Sequence, residues 1–242
     1  MKKIGNTLSV VAVIGVICAG LILCGARLGL WEPLTGFGLY RSYFSIVGAV
    51  VAGTGLLGLA LHISRKETGR SVLSAAMVVI GMACLFPGVS AAVNPQPRAA
   101  PIHDISTDTV NPPLFKVLDE TRAGATNSLE YGGPELAAAQ AEAYPDIGPL
   151  ETAMPADAAY ARALTVAGKM GWEIVASDAE QLRFEATART NVFYFADDVV
   201  VVVTTQPDGS RVDMRSVSRV GRSDQGLNAA RIRDFQQKFE EE

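Results

Sequence analysis

Leu182-Arg183-Phe184-Glu185-Ala186-Thr187-Ala188-Arg189 alternates apolar and polar residues without a break. Period-two geometry sends successive side chains to opposite faces of a strand. Leu182, Phe184, Ala186 and Ala188 therefore point one way, and Arg183, Glu185, Thr187 and Arg189 the other. Residues 210–220 repeat the pattern, with Val212 and Met214 set against Arg211, Asp213 and Arg215. Two more β-rich runs, 172–177 and 199–205, make four strands in all, separated by turn signals such as Pro207-Asp208-Gly209. The all-valine run 199–203 breaks the alternation, which predicts a central strand buried on both faces.

Helices are predicted on either side of these strands. Residues 155–170 start at a proline, end before Gly171, and set Tyr160, Leu164, Ala167 and Met170 near one stripe. Residues 224–239 align Ile232, Phe235 and Phe239, with Ser223 as cap. The expected fold class is α+β: a two-layer domain over 151–242, with a four-stranded antiparallel sheet, two helices on its apolar face and a charge-laced opposite face. Residues 94–150 form a Pro-rich arm carrying eight prolines from Pro95 to Pro149, Pro97 among them. Proline fixes φ and removes a donor, so this segment is expected to wrap, with a short helix near 136–143, and to cover the valine strand.

Residues 1–93 read differently, as a three-helix transmembrane anchor with apolar runs at 8–25, 43–63 and 72–93. Each approaches the roughly 20 residues that cross about 30 Å of hydrocarbon. None has an ionisable group near its centre, so the usual signature of a transporter or channel is missing; His62 sits at a run's end. Small residues four apart, Gly48 with Ala52 and Ala49 with Gly53, suit close helix packing. Lys2, Lys3, Arg65, Lys66 and Arg70 flank one side, against Arg27 and Arg41 in the other loop, 26–42. That asymmetry predicts a cytoplasmic N-terminus and a C-terminal domain outside, in a multi-pass protein of the bacterial inner membrane. Residues 70–92 also have the layout of an internal secretion signal, with the breaker Pro87-Gly88 and small residues up to Ala91 as a cleavage site.

Charge and cysteine narrow the chemistry. From Ala99 onward the chain holds 23 of the 25 acidic residues but only 13 of the 21 basic ones, a net charge near −10. Such a surface repels polyanions, so nucleic acid is excluded as a partner. Cys18, Cys24 and Cys84 all lie in apolar runs, which leaves the C-terminal domain without a thiol nucleophile, disulfide or cysteine metal site. No cofactor is implied and no metal is expected. Asp104, Ser106 and Asp108 have a calcium loop's alternate spacing, but Thr109 stands where the turn needs glycine and Phe115 where the bidentate acid belongs.

Two runs carry a resemblance. Val192-Phe193-Tyr194-Phe195-Ala196-Asp197-Asp198-Val199 is followed by Arg215-Ser216-Val217-Ser218-Arg219-Val220-Gly221-Arg222-Ser223-Asp224-Gln225-Gly226-Leu227-Asn228. Together they resemble the family catalogued as domain of unknown function 1499, over roughly 102–239. The resemblance implies a bacterial or plastid setting and no settled activity. Near the domain's start a Pro-Asn-Cys segment is common in the family, whereas this chain has residues 102–108 from Ile102 to Asp108. Val200 also stands where an acid often follows the aspartate pair, so neither role transfers.

Folding the last two strands about Asp208 gathers Arg189, Asp197, Asp198, Arg215, Arg219, Ser223 and Asp224 at one end of the sheet, with Ser216, Ser218 and Asn228 beside them. The group reads as a salt-bridge and capping network or as a polar ligand pocket. His103 with Asp104 and Ser216 or Ser218 is a further candidate set of base, orienter and nucleophile, without a nucleophile elbow. Two functional classes follow. One is a membrane-anchored module that binds an envelope protein, a lipid or a small polar ligand beside the bilayer. The other is an envelope hydrolase or transferase using Asp197 and Asp198, with Arg215 and Arg219 on an anionic group.

Overall fold

The computed structural model describes residues 2–95 and 99–241, apart from the side chains of Lys2 and Lys3; Pro97 of the arm lies outside the described residues. The chain divides into two compact units. One is Met1–Pro97 with Asn191–Tyr194, the other Arg98–Thr190 with Phe195–Glu242.

In the first unit α1 spans Lys2–Cys24, α2 Pro33–Leu39, α3 Ser45–Ser64 and α4 Thr68–Val93. A π-helical turn, Tyr40–Phe44, joins α2 to α3. Ile4–Cys24, Pro33–Ser64 and Thr68–Val93 are each long and apolar enough to cross a membrane. The second stretch begins well before residue 43, inside the expected 26–42 loop. Pro33 explains this, because proline at a helix start is preorganised in φ and its missing N–H has no bond to make there. Nor does Pro87 break α4, which continues to Val93. Helices embedded in lipid tolerate an interior proline where neighbouring helices support the turn.

Only one of the two small-residue pairs packs as expected. A Cβ on Gly48 would meet Cys84 Cβ at 2.8 Å and Gly81 O at 3.0 Å, and Ala52 lies directly against Gly81. Gly53, by contrast, has nothing within 4 Å of its Cβ position. We predict that Gly81→Val pushes α3 from α4 at an overpacking cost of about 1–3 kcal/mol, read as a lower melting temperature in detergent. Gly53→Val should leave the melt unchanged, and equal losses from both would refute this packing.

Among the described residues the second unit has six strands, two more than expected. They are β1 (Asp104–Ser106), β2 (Leu150–Thr152), β3 (Glu173–Asp178), β4 (Arg183–Arg189), β5 (Ala196–Gln206) and β6 (Gly209–Ser218). The sheet runs β1-β6-β5-β4-β3, with β2 also paired to β6, and all pairings are antiparallel. The extra strands come from the arm. Each is three residues long, too short to show a period, and each lies along β6, opposite β5.

Helix α6 (Ala156–Lys169) and α7 (Leu227–Glu241) close the apolar face over Phe184, Ala186, Val199, Val201 and Met214. Trp172 stacks on Phe235 with ring centroids 5.5 Å apart. A third helix, α5 (Gly133–Ala143), adds Leu136 and Ala139 to the same core. Val199, Val200 and Val201 are fully buried, so β5 is covered on both faces. The cover on the charged face is the arm. The amides of Lys116, Val117 and Leu118 donate to the Glu185 carboxylate at 2.6, 3.1 and 2.7 Å, and Arg183 donates to Leu114 O. Three consecutive N–H groups on one carboxylate make an internal anion nest.

Candidate functional site

Strand register divides the predicted site residues between the two faces of the sheet. Asp198 lies opposite Thr187 and Val217, while its neighbour Asp197 lies opposite Ala188 and Ser218. Period-two alternation points the two carboxylates to opposite faces. They therefore share no site, and an acid and base pair made from them has no common substrate position.

On the arm face, Asp198 is 0% exposed. It accepts from Arg122 Nε at 2.7 Å, Arg219 Nη2 at 2.8 Å and the Thr187 hydroxyl at 3.1 Å. Both guanidiniums also reach arm carbonyls, Arg122 to Asn127 O at 2.6 Å and Arg219 to Ala123 O at 3.0 Å. Arg215 is equally buried. Its Nε and Nη2 engage the two oxygens of Asp104 at 2.9 and 2.7 Å, and Nη2 also donates to Leu129 O at 2.8 Å. The guanidinium lies 5.6 Å from the Phe115 centroid and 5.2 Å from that of Tyr131. Burial, then the charge of Asp104, pushes the Tyr131 phenol above its ordinary value.

A second network sits on the helix face. Arg231 Nη2 pairs with Asp197, and its Nη1 donates to Ser216 Oγ at 3.0 Å and to Asn228 Oδ1. Ser216 donates to Asn228 Oδ1 at 2.7 Å, while Asn228 Nδ2 donates to Ser218 Oγ at 3.0 Å and His103 O at 2.9 Å. The helix cap is Asp224, not Ser223. Asp224 accepts from the amides of Gly226 and Asn228 at 2.8 and 2.7 Å, whereas the Ser223 hydroxyl donates to Ala100 O. Positive φ at Gln225 and Gly226, 57° and 82°, delays the helix start to Leu227.

The remaining candidates are dispersed. Arg189 pairs in register with Ala196 and is exposed. Asp104 is held by Arg215 on the arm face while Ser216 and Ser218 serve the helix-face network, so the base, orienter and nucleophile set does not assemble. Asp108 accepts from the amides of Val110 and Asn111 at 2.9 and 2.8 Å and from Arg211 at 2.8 Å, a capped turn. Those bonds, the Asn111 amide first, hold its carboxyl below the ordinary value.

Arg122, Arg231 and Glu185 are central to these networks and were not singled out in the sequence. Arg231 had a usable signal, since it lies one turn after Asn228 on the same helix. Arg122 had none.

Residues 104–239, from β1 to α7, match a single family over more than half of the chain. The chain belongs to the family described as protein of unknown function (DUF1499). No curated protein matches it. The DUF1499 match takes in the arm from Asp104 onward, the sheet and both ion-pair networks.

One titration tests the helix-face network of this DUF1499 domain. Burial raises the Asp224 carboxyl above its ordinary 3.8, with the Asn228 and Gly226 amides pulling the other way. The folded state thus holds this proton more tightly than the unfolded chain. The stability it contributes is full below the unfolded value and is lost as pH rises through the folded one. Carboxyl NMR should find the Asp224 midpoint above 3.8, and a midpoint at or below that value would contradict the burial described here.

Proposed function

We propose that the chain is a membrane-anchored binding module of the bacterial cell envelope. Its three spans lie in the cytoplasmic membrane, its N-terminus in the cytoplasm and its DUF1499 domain in the periplasm. The lipid bilayer is its first partner, and five basic residues on the flanks assigned to the cytoplasm, against Arg27 alone in the opposite loop now that Arg41 lies within the second span, support the orientation.

The observation that carries binding over catalysis is the use of the charged residues. Asp198, Arg215 and Arg219 are engaged in fastening the arm to the sheet. The surface we assign to a partner is the arm, where Val110, Leu114 and Val117 are 84%, 63% and 57% exposed, more than Ile174, Val175 or Leu227 elsewhere in the domain. We assign it an envelope protein with a basic rim, to match the domain's charge near −10.

Reporter fusions at the C-terminus test placement: a phosphatase that works only outside the cytoplasm should be active, and a fluorescent protein dark. The opposite result would sink it. A C-terminal tag should reveal one band near 25.6 kDa; a shorter soluble band would mean cleavage after Ala91. For docking, photo-crosslinkers at Leu114 and Val117 should form a discrete adduct that Thr165 on α6 does not. The adduct should be lost in Val117→Asp with the melt unchanged. Equal labelling at all three sites would remove the arm as the docking surface.

A further inference from the structure

His62, at the end of α3, is 0% exposed. Its Nδ1 lies 2.8 Å from Glu67 Oε2. A carboxylate only accepts, so Nδ1 carries a proton, and in the neutral ring it is the sole one. Nε2 is then a bare acceptor, and it is buried without a hydrogen-bond partner among the described residues. The first turns of α1 close directly on this ring: a Cβ on Gly5 would stand 2.9 Å from Cε1 and 3.5 Å from Nε2.

We propose that His62 is a proton-operated latch between α1 and the α3–α4 turn. The groups facing it set the direction. From α1 comes Gly5, near the positive end of the helix dipole. Arg65 stands at the end of α3, its Nη1 3.8 Å from the same Cβ position. The turn supplies Glu67, and α4 supplies Arg70, 3.3 Å from Glu67, with Ser74 packed near Gly58. The single acid among them is on the Nδ1 side. A proton taken from water onto Nε2 creates a buried N–H with no acceptor among the described residues, facing the first turn of α1. The imidazolium keeps its bond to Glu67 and gains water by releasing the first turn of α1. Deprotonation seats that turn again.

The chain holds two histidines, so His103→Gln leaves His62 as the sole imidazole. This full-length variant is placed in lipid nanodiscs, with the three native cysteines replaced by alanine and spin labels at Asn6 and Thr68. It is then titrated from about pH 8 to about pH 5. Nitrogen NMR should show the Nδ1–H tautomer at high pH, lost in Glu67→Leu. The label distance should lengthen in step with ring protonation and stay short at every pH in His62→Phe. An Nε2–H tautomer, a ring that never protonates, a distance that ignores the ring, or the same lengthening in His62→Phe would each overturn the latch. The inference shares with the proposed function only the need for a bilayer, and the reporter fusions succeed or fail independently of the label distance.

Discussion

Asp198→Ala is expected to destabilise the DUF1499 domain by about 3–5 kcal/mol, the range for breaking a buried ion pair by removing one partner. The side chains of Arg122 and Arg219 are 3% and 11% exposed and converge on this one carboxylate. Without it, two like charges face each other across the Thr187 hydroxyl, and the arm they hold loses its neutralising centre. Arg219→Met removes one guanidinium but leaves a neutral Asp198–Arg122 pair. Its loss should be smaller, about 1.5–3 kcal/mol for hydrogen bonds to a charged group. Urea unfolding followed by Trp172 fluorescence in a Trp31→Phe background measures both. If Asp198→Ala costs less than about 1 kcal/mol, the range of a solvated surface pair, the carboxylate does not fasten the arm.

The two faces of the sheet that hold these groups were readable from the sequence, and the contacts that join them to the arm were not. Alternation in 182–189 assigned Phe184 and Ala186 to the helix layer and Glu185 and Thr187 to the other, and both layers are as expected. The valine run likewise located the buried centre of β5. The same alternation also parts Asp197 from Asp198, yet adjacency in sequence invites reading them as a pair. Short strands escaped for a different reason. Three residues of Asp104–Ser106 carry no period, and the partner that makes them a strand, β6, lies more than a hundred residues away. Arg122 meets Asp198 across 76 positions through an irregular arm, a contact that no local pattern encodes. The cap moved by one residue because Ser223 and Asp224 are both competent acceptors, and backbone turns at Gln225 and Gly226 decide between them.

The second large effect is expected at Arg215. Arg215→Ala should also cost about 3–5 kcal/mol, because Asp104 would remain buried with its charge uncompensated. The bond to Leu129 O and the packing between Phe115 and Tyr131 would go as well. Charge and packing can be separated. Arg215→Met keeps apolar volume between the two rings but still strands Asp104, so it should recover little by itself. Combining Arg215→Met with Asp104→Leu removes both charges. Since well-packed apolar residues often replace a buried ion pair without loss, the double variant should regain most of the stability. A double variant no better than Arg215→Ala would place the contribution of Arg215 in its contacts with the arm's carbonyl and rings. A double variant near wild type would show that this pair fixes which way the arm crosses β6 without adding net stability.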